Sequence, residues 1–147
     1  MRTPSFYWAV YGIIRNNAGK ILFQRRDNTD FNQGILQLPS GHIEGEETYF
    51  QALQREMWEE LWIDFEESDV KLVHILHRVN PWERVYFDIF FEIYSYTWEL
   101  QNKEPKKCSE LDFFDVLHPD ITPYNIDVLN EINAWNLSSE MTVSIRS

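Results

Sequence analysis

The chain has a single cysteine, Cys108, so no internal disulfide can staple it. That usage fits a reducing compartment, and a cytoplasmic location is the expectation. Basic residues are scarce: 13 lysines and arginines stand against 24 acids, for a net charge of −11. A surface of that sign repels a nucleic-acid backbone, and no basic stripe runs along the sequence, so a long nucleic acid is excluded as a partner. No run approaches the roughly 20 apolar residues that span a bilayer, which argues against a membrane partner. The apolar run Phe6–Ile14 is too short, and Arg15 follows it without a small-residue cleavage site, so it reads as a strand rather than a signal peptide. No low-complexity tract, repeat or linker rich in proline, glycine or serine divides the chain.

What is present is core-forming material. Of 147 residues, 44% are hydrophobic and 16% aromatic, enough to close a sizeable core. The length favours one domain over residues 1–147. The acidic balance carries a further implication. A phosphate-bearing substrate would need positive charge from outside the chain, and a divalent cation is the obvious source.

Residue patterning predicts strands at Phe6–Ile14 and Lys20–Arg26, joined by the turn Asn16-Asn17-Ala18-Gly19 into a hairpin. A short extended piece, Ile35–Leu38, ends at Pro39, and Ser40–Glu47 is expected to be a loop. A helix should begin near Glu47 or Thr48 and run to about Leu61, with Phe50, Leu53, Met57 and Leu61 facing the core. Val70–Arg78 and Arg84–Tyr96 read as strands, Leu111–Leu117 as a last one, and Thr122–Trp135 as a second helix with Pro123 in its first turn. Helices interleaved with a majority of strands predict an α/β fold, an α/β/α sandwich around a mixed sheet.

Chemistry concentrates between Gly41 and Ile63. Glu56, Glu59 and Glu60 stand at i, i+3 and i+4, so the three carboxylates share one side of a helix, at the edge of its buried face. Like charges at that spacing destabilise a helix by a few tenths of a kcal/mol per pair. A hard cation that prefers oxygen ligands, Mg²⁺ or Mn²⁺, would offset the repulsion. Arg55 could orient the carboxylates. A solvated acidic face is the plain alternative for such a cluster taken alone.

The wider spacing is more specific: Gly41, five residues, Glu47, seven residues, Arg55-Glu56, apolar Met57, one residue, Glu59-Glu60. This pattern resembles the Nudix box. The opening AVYGIIRNNAGKILFQRR and the approach GILQLPSGHIEGEE are similar to MutT-like members of that family, and the later NKEPKKCSELDFFDV, followed by Thr122-Pro123-Tyr124, is similar to the C-terminal part of a bacterial Nudix subgroup. One position departs from it: where the box has glycine, two residues after the Glu-Glu pair, this chain has Trp62. Glycine suits a left-handed helix end, so the helix is expected to end differently here, running on by a turn.

The resemblance implies a single Nudix domain with a mixed sheet between helices, hydrolysing a pyrophosphate bond in a nucleoside triphosphate, an oxidised nucleotide or another nucleoside diphosphate derivative. It implies that Glu56, Glu59, Glu60 and the Gly41 carbonyl bind Mg²⁺ or Mn²⁺, with Glu56 alternatively the general base. Glu47 would pair with Arg55, or simply sit as a charge favoured by the helix dipole. Arg26 matches a phosphate-contacting arginine or is a solvated strand end. Asn125 matches a position that hydrogen-bonds a purine base. Glu104 occupies a loop that supplies a further ligand or base in some relatives, with a solvated loop acid the preferred reading. His77 and Arg78 are characteristic of a subgroup but receive no mechanistic role. Trp8, Trp82, Tyr86 and Phe87 could stack on a base, although most of the 23 aromatics must be core. Cys108 reads as a buried hydrophobe. Homodimers are common among the relatives, so a homodimer stays open, as does a Nudix-fold binding or regulatory module with little turnover.

Overall fold

The computed structural model describes residues 5–27, 34–81 and 84–143. Eight strands and two helices follow one another: β1 (Phe6–Ile13), β2 (Ile21–Arg26), β3 (Leu36–Gln37), β4 (Ser40–His42), α1 (Tyr49–Leu61), β5 (Val70–Val79), β6 (Val85–Ile93), β7 (Cys108–Phe114), α2 (Pro123–Asn133) and β8 (Ser138–Thr142). A five-stranded mixed sheet has the order β4-β1-β6-β5-β8, and a three-stranded sheet the order β3-β2-β7. No helix among the described residues is long and apolar enough to cross a membrane.

Strand β1 explains the layering. Ala9, Tyr11 and Ile13 enter one apolar cluster, which holds Val128 and Leu129 of α2. Val10 and Ile14 enter a second, which holds Ala52, Leu53, Met57 and Leu61 of α1. A strand apolar on both faces must lie inside a sheet with cover on each side, and the two helices supply it. The architecture is therefore the expected α/β/α sandwich. Gly12 lies on the α1 face, where a Cβ would meet Met57 Sδ at 3.0 Å, so the helix packs closest where β1 lacks a side chain.

Three expectations are corrected. The hairpin closes only at its tip, through Asn16 N–H to Lys20 O and Leu22 N–H to Ile14 O, both 2.9 Å. Beyond it the strands part: β1 pairs with β4 and β6, and β2 with β3 and β7. β2 instead carries its buried residues, Ile21 and Phe23 in one cluster and Leu22 in the other, into the second sheet. The second correction concerns Ser40–His42, expected in a loop, which forms β4 against Ala9–Tyr11. Similarly, the polar Ser138–Thr142 forms an edge strand parallel to β5, because edge strands need little hydrophobicity.

The third correction is the end of α1. The helix stops at Leu61, and Trp62 takes the left-handed conformation (φ 59°, ψ 40°), its N–H donating to Trp58 O. Ile63 and Phe65, buried in the α1-side cluster, require the chain to turn back at that point. The strain of a left-handed tryptophan is offset by ring contacts. Trp58 meets it edge-on with centroids 5.6 Å apart, and Lys103 Nζ lies 3.3 Å above the indole. The start of α1 is a capping box: Gln51 N–H donates to Thr48 Oγ1 at 3.2 Å, and Thr48 N–H to Gln51 Oε1 at 3.0 Å.

Candidate active site

A cleft of about 1060 Å³ brings charged residues from several elements together. Its carboxylates are Glu56, Glu59 and Glu60 of α1 with Glu44 and Glu104 from loops; its cations include Arg26, Arg78, Arg84 and Lys107. The packing of Leu53, Met57 and Leu61 into the core fixes the rotation of α1. Glu56 and Glu60 are thereby turned toward β4 and β2. Gly41 sits on β4, where any Cβ would overlap the Glu56 carboxylate. The glycine is required because main chain and carboxylate approach so closely.

Arg55 organises the acidic side. Its Nε and Nη2 donate to Glu47 at 2.7 and 2.9 Å, its Nη1 to Glu56 Oε1 at 2.7 Å and Glu59 Oε2 at 3.4 Å, and its Nη2 to the His42 carbonyl at 3.0 Å. Glu47 also accepts from Glu44 N–H at 2.9 Å, which ties the loop to the helix. The Arg55 hydrogen bond holds the Glu47 carboxyl below the usual glutamate range. Glu56 moves the other way, because burial raises its pKa more than Arg55 lowers it.

Glu60 is the anomaly. The residue is half-buried, but its Oε2 is closed off from solvent and has no hydrogen-bond partner among the described residues. Burial, then the neighbouring Glu56 and Glu104 charges, raise its carboxyl well above the usual range. An ionised oxygen left this way is costly unless something else satisfies it. As the side chains stand, no three His, Cys, Asp or Glu among the described residues are gathered to hold an ion, and Glu59, half exposed, leans toward Arg55. The donor set nevertheless fits a hard divalent cation: carboxylate oxygens, one of them sealed and unpartnered, beside a main chain without a Cβ.

Elsewhere in the cleft stands a network that the sequence reading missed. Arg78 donates to buried Asp88 through Nε at 2.7 Å and Nη2 at 3.2 Å. Its guanidinium lies between two rings, 4.2 Å from the Tyr86 centroid and 4.7 Å from that of Tyr124. Tyr11 donates to Asp88 Oδ1 at 3.2 Å and lies 3.2 Å from the Tyr124 hydroxyl. Asp88 interrupts the apolar run of β6, and an acid in such a run calls for a cationic partner; that was the signal to follow.

Of the other expected site residues, Arg26 lines the cleft, and its Nε is buried without a partner among the described residues. Asn125 is fully buried and not among the lining residues; its Oδ1 accepts from Leu38 N–H at 2.9 Å and its Nδ2 has no partner among the described residues. Tyr86 lines the cleft, whereas Trp8 and Phe87 stack on each other at 4.6 Å away from it. Trp82 lies outside the described residues. Cys108 is buried, and burial raises its thiol pKa, which disfavours the thiolate a nucleophile needs.

Comparisons with known proteins agree with this geometry. The model of the NUDIX domain matches residues 6–129. The 8-oxo-dGTP diphosphatase of Haemophilus influenzae is 36% identical over 93 residues, 63% of this chain and 60% of that protein. The chain thus spans about three fifths of that relative's length. Among solved structures, the MutT NUDIX hydrolase from Burkholderia pseudomallei superposes with a TM-score of 0.76 at 21% identity, covering 86% of this chain and 97% of the other. The MutT protein from Methanosarcina mazei gives 0.75 at 21% identity, covering 91% and 97%. At such identities the structures speak for the fold, and the family match speaks for the lineage: the chain belongs to the Nudix family and folds like its MutT-like members.

Proposed function

We propose that the chain is a divalent-metal-dependent pyrophosphohydrolase acting on a nucleoside triphosphate, an oxidised purine nucleotide included, or on another nucleoside diphosphate derivative. The observation that carries the proposal is the sealed, unpartnered Glu60 Oε2 among neighbouring acids, in a cleft that also offers cations. The Haemophilus influenzae relative's name supports the substrate class.

In this reading Glu56, Glu59, Glu60 and the Gly41 carbonyl hold Mg²⁺ or Mn²⁺, with Glu104 within electrostatic reach of Glu60. When bound, such an ion neutralises the bridging phosphates and lowers the pKa of a coordinated water. Arg55 keeps Glu56 and Glu47 in place. Glu56, whose basicity is raised by burial, is suited to take a proton from the attacking water. Arg26 and Lys107 meet phosphate oxygens, and Asn125 meets the base if α2 shifts enough to free its Nδ2. Products are a nucleoside monophosphate with pyrophosphate, or with a phosphorylated leaving group.

The test is a panel of nucleoside triphosphates, oxidised triphosphates, nucleotide sugars and dinucleoside polyphosphates with Mg²⁺ or Mn²⁺. Release of monophosphate that stops on chelation is expected. Tight nucleotide binding with no product from any compound would instead identify a binding module.

A further inference from the structure

Arg78 is built unlike the other cations of the cleft. Asp88, fully buried, compensates its charge through two hydrogen bonds. Tyr86 and Tyr124 both pack against the guanidinium, with centroids 4.2 and 4.7 Å away. A ligand gains little net attraction from it as a charge, and these rings already occupy stacking positions on it. What remains is an edge: Nη1 has no hydrogen-bond partner among the described residues, and the residue lines the cleft. Phosphate has a better partner in Arg26, which lines the cleft and whose Nε has no hydrogen-bond partner among the described residues.

Two residues further on, Asn80 also lines the cleft, and its Oδ1 is buried without a partner among the described residues. Arg78 lies on β5 and Asn80 just past its end, and both line the same cleft. Asn80 is held by its own main chain, whose N–H donates to Arg84 O at 2.9 Å. The pair thus offers a fixed donor from Arg78 beside an acceptor from Asn80. Guanidinium is a donor only and cannot adapt to a ligand that also donates.

We propose that Arg78 and Asn80 determine base specificity by reading a lactam edge, Arg78 donating to the keto oxygen and Asn80 Oδ1 accepting from the adjacent ring N–H. Guanine, hypoxanthine and uracil present that pattern. Adenine and cytosine present an amino group and a bare ring nitrogen, which sets donor against donor and acceptor against acceptor. Leaving both protein groups unmatched costs enough for roughly tenfold discrimination or more. The Tyr11–Asp88–Tyr124 network holds Arg78 in place, so Asp88 is a positioning residue.

This inference rests on the nucleotide reading above, and binding separates the two. Affinities for the α,β-methylene analogues of GTP, UTP, ATP and CTP are measured alongside turnover of the parent triphosphates. The wild-type protein is expected to prefer the guanine and uracil analogues by about tenfold or more. Asn80→Ala should narrow that ratio and Asn80→Asp should retain it. The double variant Arg78→Gln with Asp88→Asn leaves no lone buried carboxylate, and its amide accepts as readily as it donates, so the ratio should fall to near one. Equal weakening for all four bases, or no preference in the wild type, overturns the inference. Keto preference in binding without turnover would overturn only the hydrolase reading.

Discussion

Arg55 and Arg78 both hold carboxylates beside the same cleft, and the difference between them separates two jobs. Arg55 serves Glu47, Glu56 and Glu59 at once, in a region with more acids than cations. Arg78 serves one acid, Asp88, which is fully buried, and is enclosed by tyrosines. The first arrangement leaves negative charge over, which suits a cation. The second leaves none over and little freedom, which suits a directional hydrogen bond. A surplus of charge recruits; a balanced, walled-in pair discriminates.

The largest expected effect breaks the acidic side alone. Glu60→Gln, which removes a carboxylate that holds the cation, should lower turnover by roughly 10²–10³-fold, the range seen when one electrostatic stabiliser of the transition state is lost, while the melting temperature in chelator stays the same or rises. Wild-type activity in that variant would remove Glu60 from the chemistry. On the other side, Arg78→Ala strands Asp88 without a partner and should cost about 3–5 kcal/mol of folding stability. Arg55→Ala, whose partners are all more exposed than Asp88, should cost about 1 kcal/mol. Denaturant titrations that rank the two the other way would erase the distinction.

A subtler contrast lies in pH. The folded-state pKa of Glu60 is raised above its ordinary 4.5, with burial the main cause. Protonation of Glu60 therefore favours the folded state fully below that ordinary value, and the benefit is lost as pH rises through the folded-state pKa. Without metal, Glu60→Gln should gain stability over wild type as pH climbs, read as melting temperatures from roughly pH 5 to 8. Mg²⁺ should narrow the gap by stabilising the wild type. Parallel curves for the two proteins would mean that Glu60 does not carry the dependence. Smallest is the helix end. Trp62→Gly and Trp62→Ala both delete the indole, but only alanine keeps the left-handed strain, so glycine should be the more stable by about 1 kcal/mol. Equal stabilities would mean that the left-handed backbone at this position carries no strain.

The same contrast explains what could be read in advance. The acidic side lies within 23 contiguous residues, Gly41 to Ile63, and helical periodicity alone puts Glu56, Glu59 and Glu60 together. Layering was legible too, because β1 is apolar on both faces. The Arg78 network was not: Tyr11 and Asp88 are 77 residues apart, and their meeting depends on strand register, including a shift between Leu72 and His74 in the β5–β6 pairing. A one-residue slip there would send Arg78 to the other face. The end of α1 was misjudged because local propensity at Trp62 yields to the burial of Ile63 and Phe65.

Strand β1 carries one more consequence, for how the molecule comes into being. Its parallel partner is β6, with Phe6 aligned to Val85 and Ile13 to Glu92, and β2 waits similarly for β7, Ile21 opposite Phe114. On one edge β1 meets β4 and β2 meets β3 within the first 42 residues, but the other edge of each waits for distant chain, and loop-closure entropy must be met before such pairings repay it. Folding should accordingly run on the order of milliseconds to seconds rather than microseconds. On the ribosome, β1 emerges early, and the edge that β6 will cover stays open until more than half of the chain has been made.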